Sequence, residues 1–155
     1  MPEAAAPEAA SGDSYPTPYS AEQIRDATRP GRAYTWRVEE SGKAAIERTI
    51  AFTVVDAEGA EITRDGVAKR VTWEELRRHA EFPRALVTTR EETVTVPAGT
   101  YDCVVYVIAD PAAGETSTLY FAKAMPGAPV LFFMDKAGVR QMTNTLVRYS
   151  AGTDG

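Results

Sequence analysis

Among the residue types that could serve as a nucleophile or a general base, two occur once each: Cys103 and His79. A Cys-His or Ser-His-Asp arrangement would have to use His79. His79 follows two arginines at the end of TWEELRRHA, where positive charge suits a helix C-terminus. A hydrolase built on it would need His79 in a cleft beside a carboxylate. Cys103 lies in VPAGTYDCVVYV, directly after Asp102. A reactive thiol needs a cation or a helix N-terminus to lower its pKa, and an acid works the other way. A buried free cysteine behaves as a small hydrophobe, so Cys103 reads as core.

Metal and cofactor chemistry find little support. One histidine and one isolated cysteine cannot make a zinc site of ordinary type. No D-x-D-x-D-G run offers a calcium loop, and neither G-x-G-x-x-G nor G-x-x-x-x-G-K is present to cradle phosphates. The acid pairs Glu39-Glu40, Glu74-Glu75 and Glu91-Glu92 are adjacent. Neighbours on a strand point to opposite faces, so such doublets are not acid/base dyads. The expectation is no catalytic residue, no metal and no cofactor.

Aromatic side chains are the remaining candidates. Tyr106, Tyr120, Phe121, Phe132, Phe133 and Met134 gather in the C-terminal half, and PVLFFMD is apolar at alternating and consecutive positions alike. Such a strand belongs to a wall covered on both sides, or to a ligand pocket. The candidate ligand-binding residues are Trp36, Phe52, Tyr106, Tyr120, Phe132 and Met134.

The elements that must position these residues are mostly strands. The 155 residues suit one domain. With 44% hydrophobic and 25% charged residues the composition is that of a globular protein. Of the net charge of −5, residues 1–20 supply −3 through Glu3, Glu8 and Asp13, leaving −2 for the rest. Cationic and acidic residues are interleaved, which argues against nucleic acid as a partner. No run approaches the ~18 apolar residues of a membrane span.

Residues 1–18 hold four prolines and few apolar side chains, so they read as a disordered leader or tether. They have neither the basic nor the apolar part of a signal peptide. The compartment stays open: cytoplasmic as written, or bacterial cell envelope if a signal segment has been removed. A single β-rich domain is expected over 19–150, with 151–155 a disordered tail.

Ser20 and Gln23 have capping-box spacing ahead of a short helix that Pro30-Gly31 ends. AYTWRVEE then alternates with period two. AIERTIAFTVVD places Ile46, Ile50, Phe52 and Val54 on one face, and GAEITRDG completes a meander. Thr72 and Glu75 form a second capping box on TWEELRRHA. Five more strands follow, separated by Pro97-Ala98-Gly99, Asp110 to Gly114, Pro126-Gly127 and Lys136-Ala137-Gly138. The expected fold is mainly β: a curved antiparallel sheet of about eight strands, mostly up-and-down, as a half-barrel or open barrel with two short helices.

VPAGTYDC, then LYFAKAMPGAPV, then TNTLVRYS form a pattern over roughly residues 92–149. It resembles uncharacterised bacterial proteins of the lipoprotein-carrier-like superfamily, related in fold to the LolA and LolB carriers. In those a V-P-A-G-x-(F/Y)-x-C turn opens a strand and a proline-glycine hairpin follows. Here Pro97 and Gly99, then Pro126 and Gly127, occupy the turn positions. Pro97 stops ladder pairing, Gly99 permits positive φ, and Pro126-Gly127 fits a type II turn. The resemblance implies a curved sheet wrapped around helices, with an apolar cavity.

The leading expectation is a non-enzymatic domain that takes an apolar small molecule, a lipid or a lipidated protein in the concave face of its sheet. The alternative is a structural or protein-interaction module with a fully packed core. Oligomeric state is not legible.

Overall fold

The computed structural model describes residues 14–152. Nine strands form one antiparallel open sheet, accompanied by two short helices. In chain order they are α1 (Ala21–Ala27), β1 (Ala33–Glu40), β2 (Ile46–Val55), β3 (Gly59–Arg64), β4 (Val67–Thr72), α2 (Trp73–Arg78), β5 (Val87–Val96), β6 (Gly99–Asp110), β7 (Glu115–Ala122), β8 (Leu131–Lys136) and β9 (Val139–Ser150). A 3-10 turn, Arg84–Leu86, precedes β5.

The spatial order is β4-β3-β2-β1-β9-β8-β7-β6-β5. The chain therefore starts mid-sheet at β1 and walks outward by hairpins to one edge at β4. The α2 segment then carries it to the other edge at β5. From there hairpins walk back until β9 closes on β1, from Ala33 opposite Ser150 to Glu40 opposite Met142.

Both helices start as their capping residues dictate. The Ser20 side chain accepts from Gln23 N–H while the Gln23 side chain accepts from Ser20 N–H. Thr72 and Glu75 do the same at α2. Each box satisfies two N–H groups that a helix start would otherwise leave unpaired.

The strand not read from the sequence is β4, which raises about eight to nine. Asp65 (φ 52°) and Gly66 (φ 83°) make a two-residue turn, with Arg64 opposite Val67. Aspartate-glycine suits the left-handed conformation that a tight hairpin requires. VAKRVT gives little apolar signal because β4 is an edge, exposed at every position except Val71. Lys69 and Arg70 there are the charged decoration that keeps an edge from pairing further.

A bulge between Phe52 and Val54 alters β2. Beyond it Val55 stands opposite Ala60, and Val54 turns outward, 47% exposed, so it does not share the face of Phe52. One extra residue in a strand flips every later side chain.

The proposed leader divides at Ser14. Residues 1–13 lie outside the described residues, whereas 14–18 are packed. Ser14 bridges Pro83, Tyr15 N–H donates to Phe82 O (2.9 Å), and Tyr106 Oη donates to Pro16 O (2.6 Å). The Tyr15 ring meets Tyr106 edge-on at 5.5 Å. An aromatic anchor and carbonyl acceptors hold a segment whose prolines cannot donate. At the other end residues 153–155 lie outside the described residues.

The turns differ in detail from their reading. Val96 pairs with Gly99, so Pro97-Ala98 alone is the reversal and Gly99 (φ 151°) opens β6. Between β7 and β8 the turn hydrogen bond runs from Met125 N–H to Ala122 O, at Lys123-Ala124 rather than Pro126-Gly127. Gly127 (φ 149°) serves a close approach instead: a Cβ there would lie 2.4 Å from Tyr34 Oη.

Candidate functional site

The sheet registers place the aromatic candidates. Trp36, Phe52, Tyr106, Phe132 and Met134 share one face, and Tyr120 projects from the other. The N-terminal segment packs on the first of these faces, here called inner, through Tyr15 on Tyr106 and Tyr19 on Phe121 (centroids 6.0 Å).

Three of the five inner residues are sealed by the protein itself. Trp36 stacks on Tyr34 at 5.2 Å and donates from Nε1 to Pro129 O. Phe52 and Tyr106 are also buried. On the outer face Tyr120 donates to Glu92 (3.4 Å), accepts from Arg90 (3.3 Å) and lies against Phe133.

Phe132 and Met134 are half-buried. They belong to two cross-strand rows on the inner face. The first runs Tyr106, Leu119, Phe132, Asn144, Val38, Ile46 across six strands, and the second runs Ile108, Ser117, Met134, Met142, Glu40. Along the first row Tyr106 (4% exposed) and Val38 (9%) are buried, Leu119, Phe132 and Asn144 between them are half-buried, and Ile46 is exposed (47%). The result is a partly open apolar strip of Leu119, Phe132, Met134 and Met142, separated from exposed Ile46 by buried Val38. Leu119, Val38 and Met142 were not singled out from the sequence, since only the register sets them beside Phe132.

One polar side chain interrupts the first row. Asn144 Oδ1 is buried with no hydrogen-bond partner. A buried acceptor left unpaired is costly and marks a place where a further group could be received.

The sealed end is organised by Arg32, which is 1% exposed. Its Nε donates to Tyr149 Oη and its Nη1 to Thr28 Oγ1, both at 2.9 Å. Its guanidinium lies over the Tyr34 and Tyr149 rings at 5.1 and 5.6 Å. Hydrogen bonds and ring faces thus surround the charge with no carboxylate partner among the described residues. Burial raises the Tyr34 hydroxyl well above the ordinary tyrosine range, a shift Arg32 partly offsets.

Cys103 is 1% exposed, opposite Glu92 and Ala122. Burial first, then Asp102 and Glu92, push its thiol up to about 11. Burial likewise raises Tyr19, whose Oη donates to Ala122 O, and Tyr106. His79 is exposed at the C-cap of α2. Among the described residues no group of three His, Cys, Asp or Glu side chains could hold a metal ion. Among them, too, no helix is long and apolar enough to cross a membrane.

No protein-family model matches the chain, and no curated protein matches it in sequence. Two solved structures are similar to it. One is a candidate lipoprotein from Parabacteroides distasonis ATCC 8503, with 12% identity, 79% of this chain and 96% of that chain covered, and a TM-score of 0.47. The other is MucB, with 13% identity, 86% of this chain covered and a TM-score of 0.49; the match spans 58% of the MucB chain.

Proposed function

We propose that this protein is a non-enzymatic β-rich domain that binds an apolar ligand, free or attached to a lipidated partner, on the open part of its inner face. The observation that carries the reading is the half-buried apolar strip of Leu119, Phe132, Met134 and Met142. A wholly packed sheet would cover this strip with its own chain, as it covers Trp36, Phe52 and Tyr106. Binding sites for apolar molecules have this composition, with a few polar atoms to orient the guest. On this reading Phe132 and Met134 touch the ligand, while Trp36, Phe52 and Tyr106 support the wall.

Native mass spectrometry of the purified protein with long-chain lipids and acylated peptides tests it. Retained lipid, reduced by Phe132→Asp with the fold intact by circular dichroism, is the expected result. A clean apo mass under all these conditions would sink the reading and leave the packed interaction module in its place.

A further inference from the structure

The sheet ends in two edges of different character. The β4 edge is 6 residues long, and its charged side chains, Lys69 and Arg70, are both cations, so a second β4 would be repelled. The β5 edge is 10 residues long and exposed from Thr88 to Thr93 and again at Thr95. It carries both signs of charge in Arg90-Glu91-Glu92.

The β5–β6 hairpin fixes which backbone groups of β5 are free. The Pro97-Ala98 turn makes Val96 and Gly99 a hydrogen-bonded pair, and such pairs alternate along an antiparallel ladder. Counting back, Val94, Glu92, Arg90 and Thr88 turn their N–H and C=O groups to β6. Thr95, Thr93, Glu91, Thr89 and Val87 turn theirs to the open edge. Val87 follows this parity, its N–H donating to Arg84 O instead of β6. Thr89, Glu91, Thr93 and Thr95 have no backbone partner beyond the edge among the described residues. An exposed edge of this length is a template for another strand.

We infer that β5 pairs antiparallel with β5 of a second copy of this chain, about a two-fold axis through Glu91. Free groups must meet free groups, so the axis passes through a residue rather than between two. Through Arg90 or Glu92 it would set that residue against itself, and through Thr89 or Thr93 it would shorten the ladder. Through Glu91 it overlaps residues 87–95 and sets Arg90 opposite Glu92 of the second copy, twice. Arg90 and Glu92 of one chain already lie 3.0 Å apart on one face, so the charges alternate along and across the pair. On the other face the Glu91 side chains meet at the axis, and each brings its own counter-ion, Lys123 at 3.0 Å. Opposite charges on facing residues favour a strand pair, and like charges oppose it. The interface is narrow and polar, of the class that associates weakly. It lies apart from the apolar strip on β7, β8 and β9, and stands whether or not that strip takes a ligand.

Sedimentation equilibrium of the full chain, from micromolar to millimolar concentration, should show a monomer–dimer equilibrium. R90E and E92R each set like charges opposite one another and should weaken it about tenfold. An equimolar mixture of the two variants should regain wild-type association, because their heterodimer restores both opposite-charge pairs. E91P removes an N–H at the open edge without touching the β6 ladder, and should be folded by circular dichroism and monomeric. Amide exchange followed by NMR is a second readout: Thr89, Glu91, Thr93 and Thr95 should gain protection as the concentration of wild type rises.

A monomer at every concentration, or association that neither R90E nor E92R weakens, overturns the inference. A mixture no tighter than its components overturns the axis through Glu91. Protection of those amides that does not vary with concentration would show the edge to be covered by the chain itself, and overturns the pairing with a second copy.

Discussion

Cys103 and Arg32 show how far single residues could be judged in advance. Asp102 beside Cys103 already disfavours a thiolate, and the fold adds Glu92 across the strand and near-complete burial. Native protein should therefore resist thiol-labelling reagents at neutral pH, with labelling appearing only in denaturant. Rapid stoichiometric labelling of the folded state would contradict the burial of Cys103. Cys103→Ala should cost about 1 kcal/mol, the small end of core truncations. Arg32 gave no such signal, because its role depends on Tyr149, 117 positions away, and on the end of α1. Arg32→Met keeps much of the volume but strips Tyr149 and Thr28 of a donor. A loss of about 2–3 kcal/mol is expected from chemical denaturation, and a neutral result would mean that the buried guanidinium contributes nothing to stability.

Elements were legible where their signals are local. The two capping boxes depend on residues three apart, and both form. Strand alternation located eight of the nine strands because one covered face makes the period visible. β4 escaped because an edge strand buries almost nothing, although Asp65-Gly66 was a usable turn signal. The bulge after Phe52 and the packing of residues 14–18 escaped because each answers to a distant partner, Glu61 of β3 for one and Tyr106 for the other. The same limit applies to the candidate site: its aromatic members stand out in the sequence, but the strip exists only once the strands are in register. The loop between β7 and β8 offers a test at this scale. Gly127→Ala would place a Cβ 2.4 Å from the Tyr34 hydroxyl at a φ of 149°, whereas Gly42→Ala meets nothing within 4 Å. Both suffer from positive φ, but Gly127→Ala should lower the melting temperature further. Equal shifts would show that the loop yields freely and that its seal over Tyr34 is weak.

For the whole molecule the phenols and the thiol set an alkaline limit. Tyr19 and Tyr106 tie the N-terminal segment to the sheet, Tyr19 to Ala122 O and Tyr106 to Pro16 O, while Tyr34 stands under Gly127. Burial raises all three above the ordinary tyrosine value of 10.0, and Cys103 rises from 9.0 to about 11. In the unfolded chain these groups lose protons first, so above pH 9 the unfolded state binds fewer protons than the folded one. Stability is then fully present below pH 9 and falls as pH rises, first through the Cys103 window of 9 to 11 and from about 10 through the tyrosines. The opposite sign holds for Asp56, lowered to about 2 chiefly by Arg70; its contribution is present above 3.8 and lost on acidification. Urea midpoints measured from pH 7 to 11 should therefore stay level to about 9 and then decline. Cys103→Ala should remove the earliest part of the decline and leave the tyrosine part. A midpoint that holds constant to pH 11 would mean that the phenols titrate without unfolding the sheet, and that the N-terminal segment is not held by their protons.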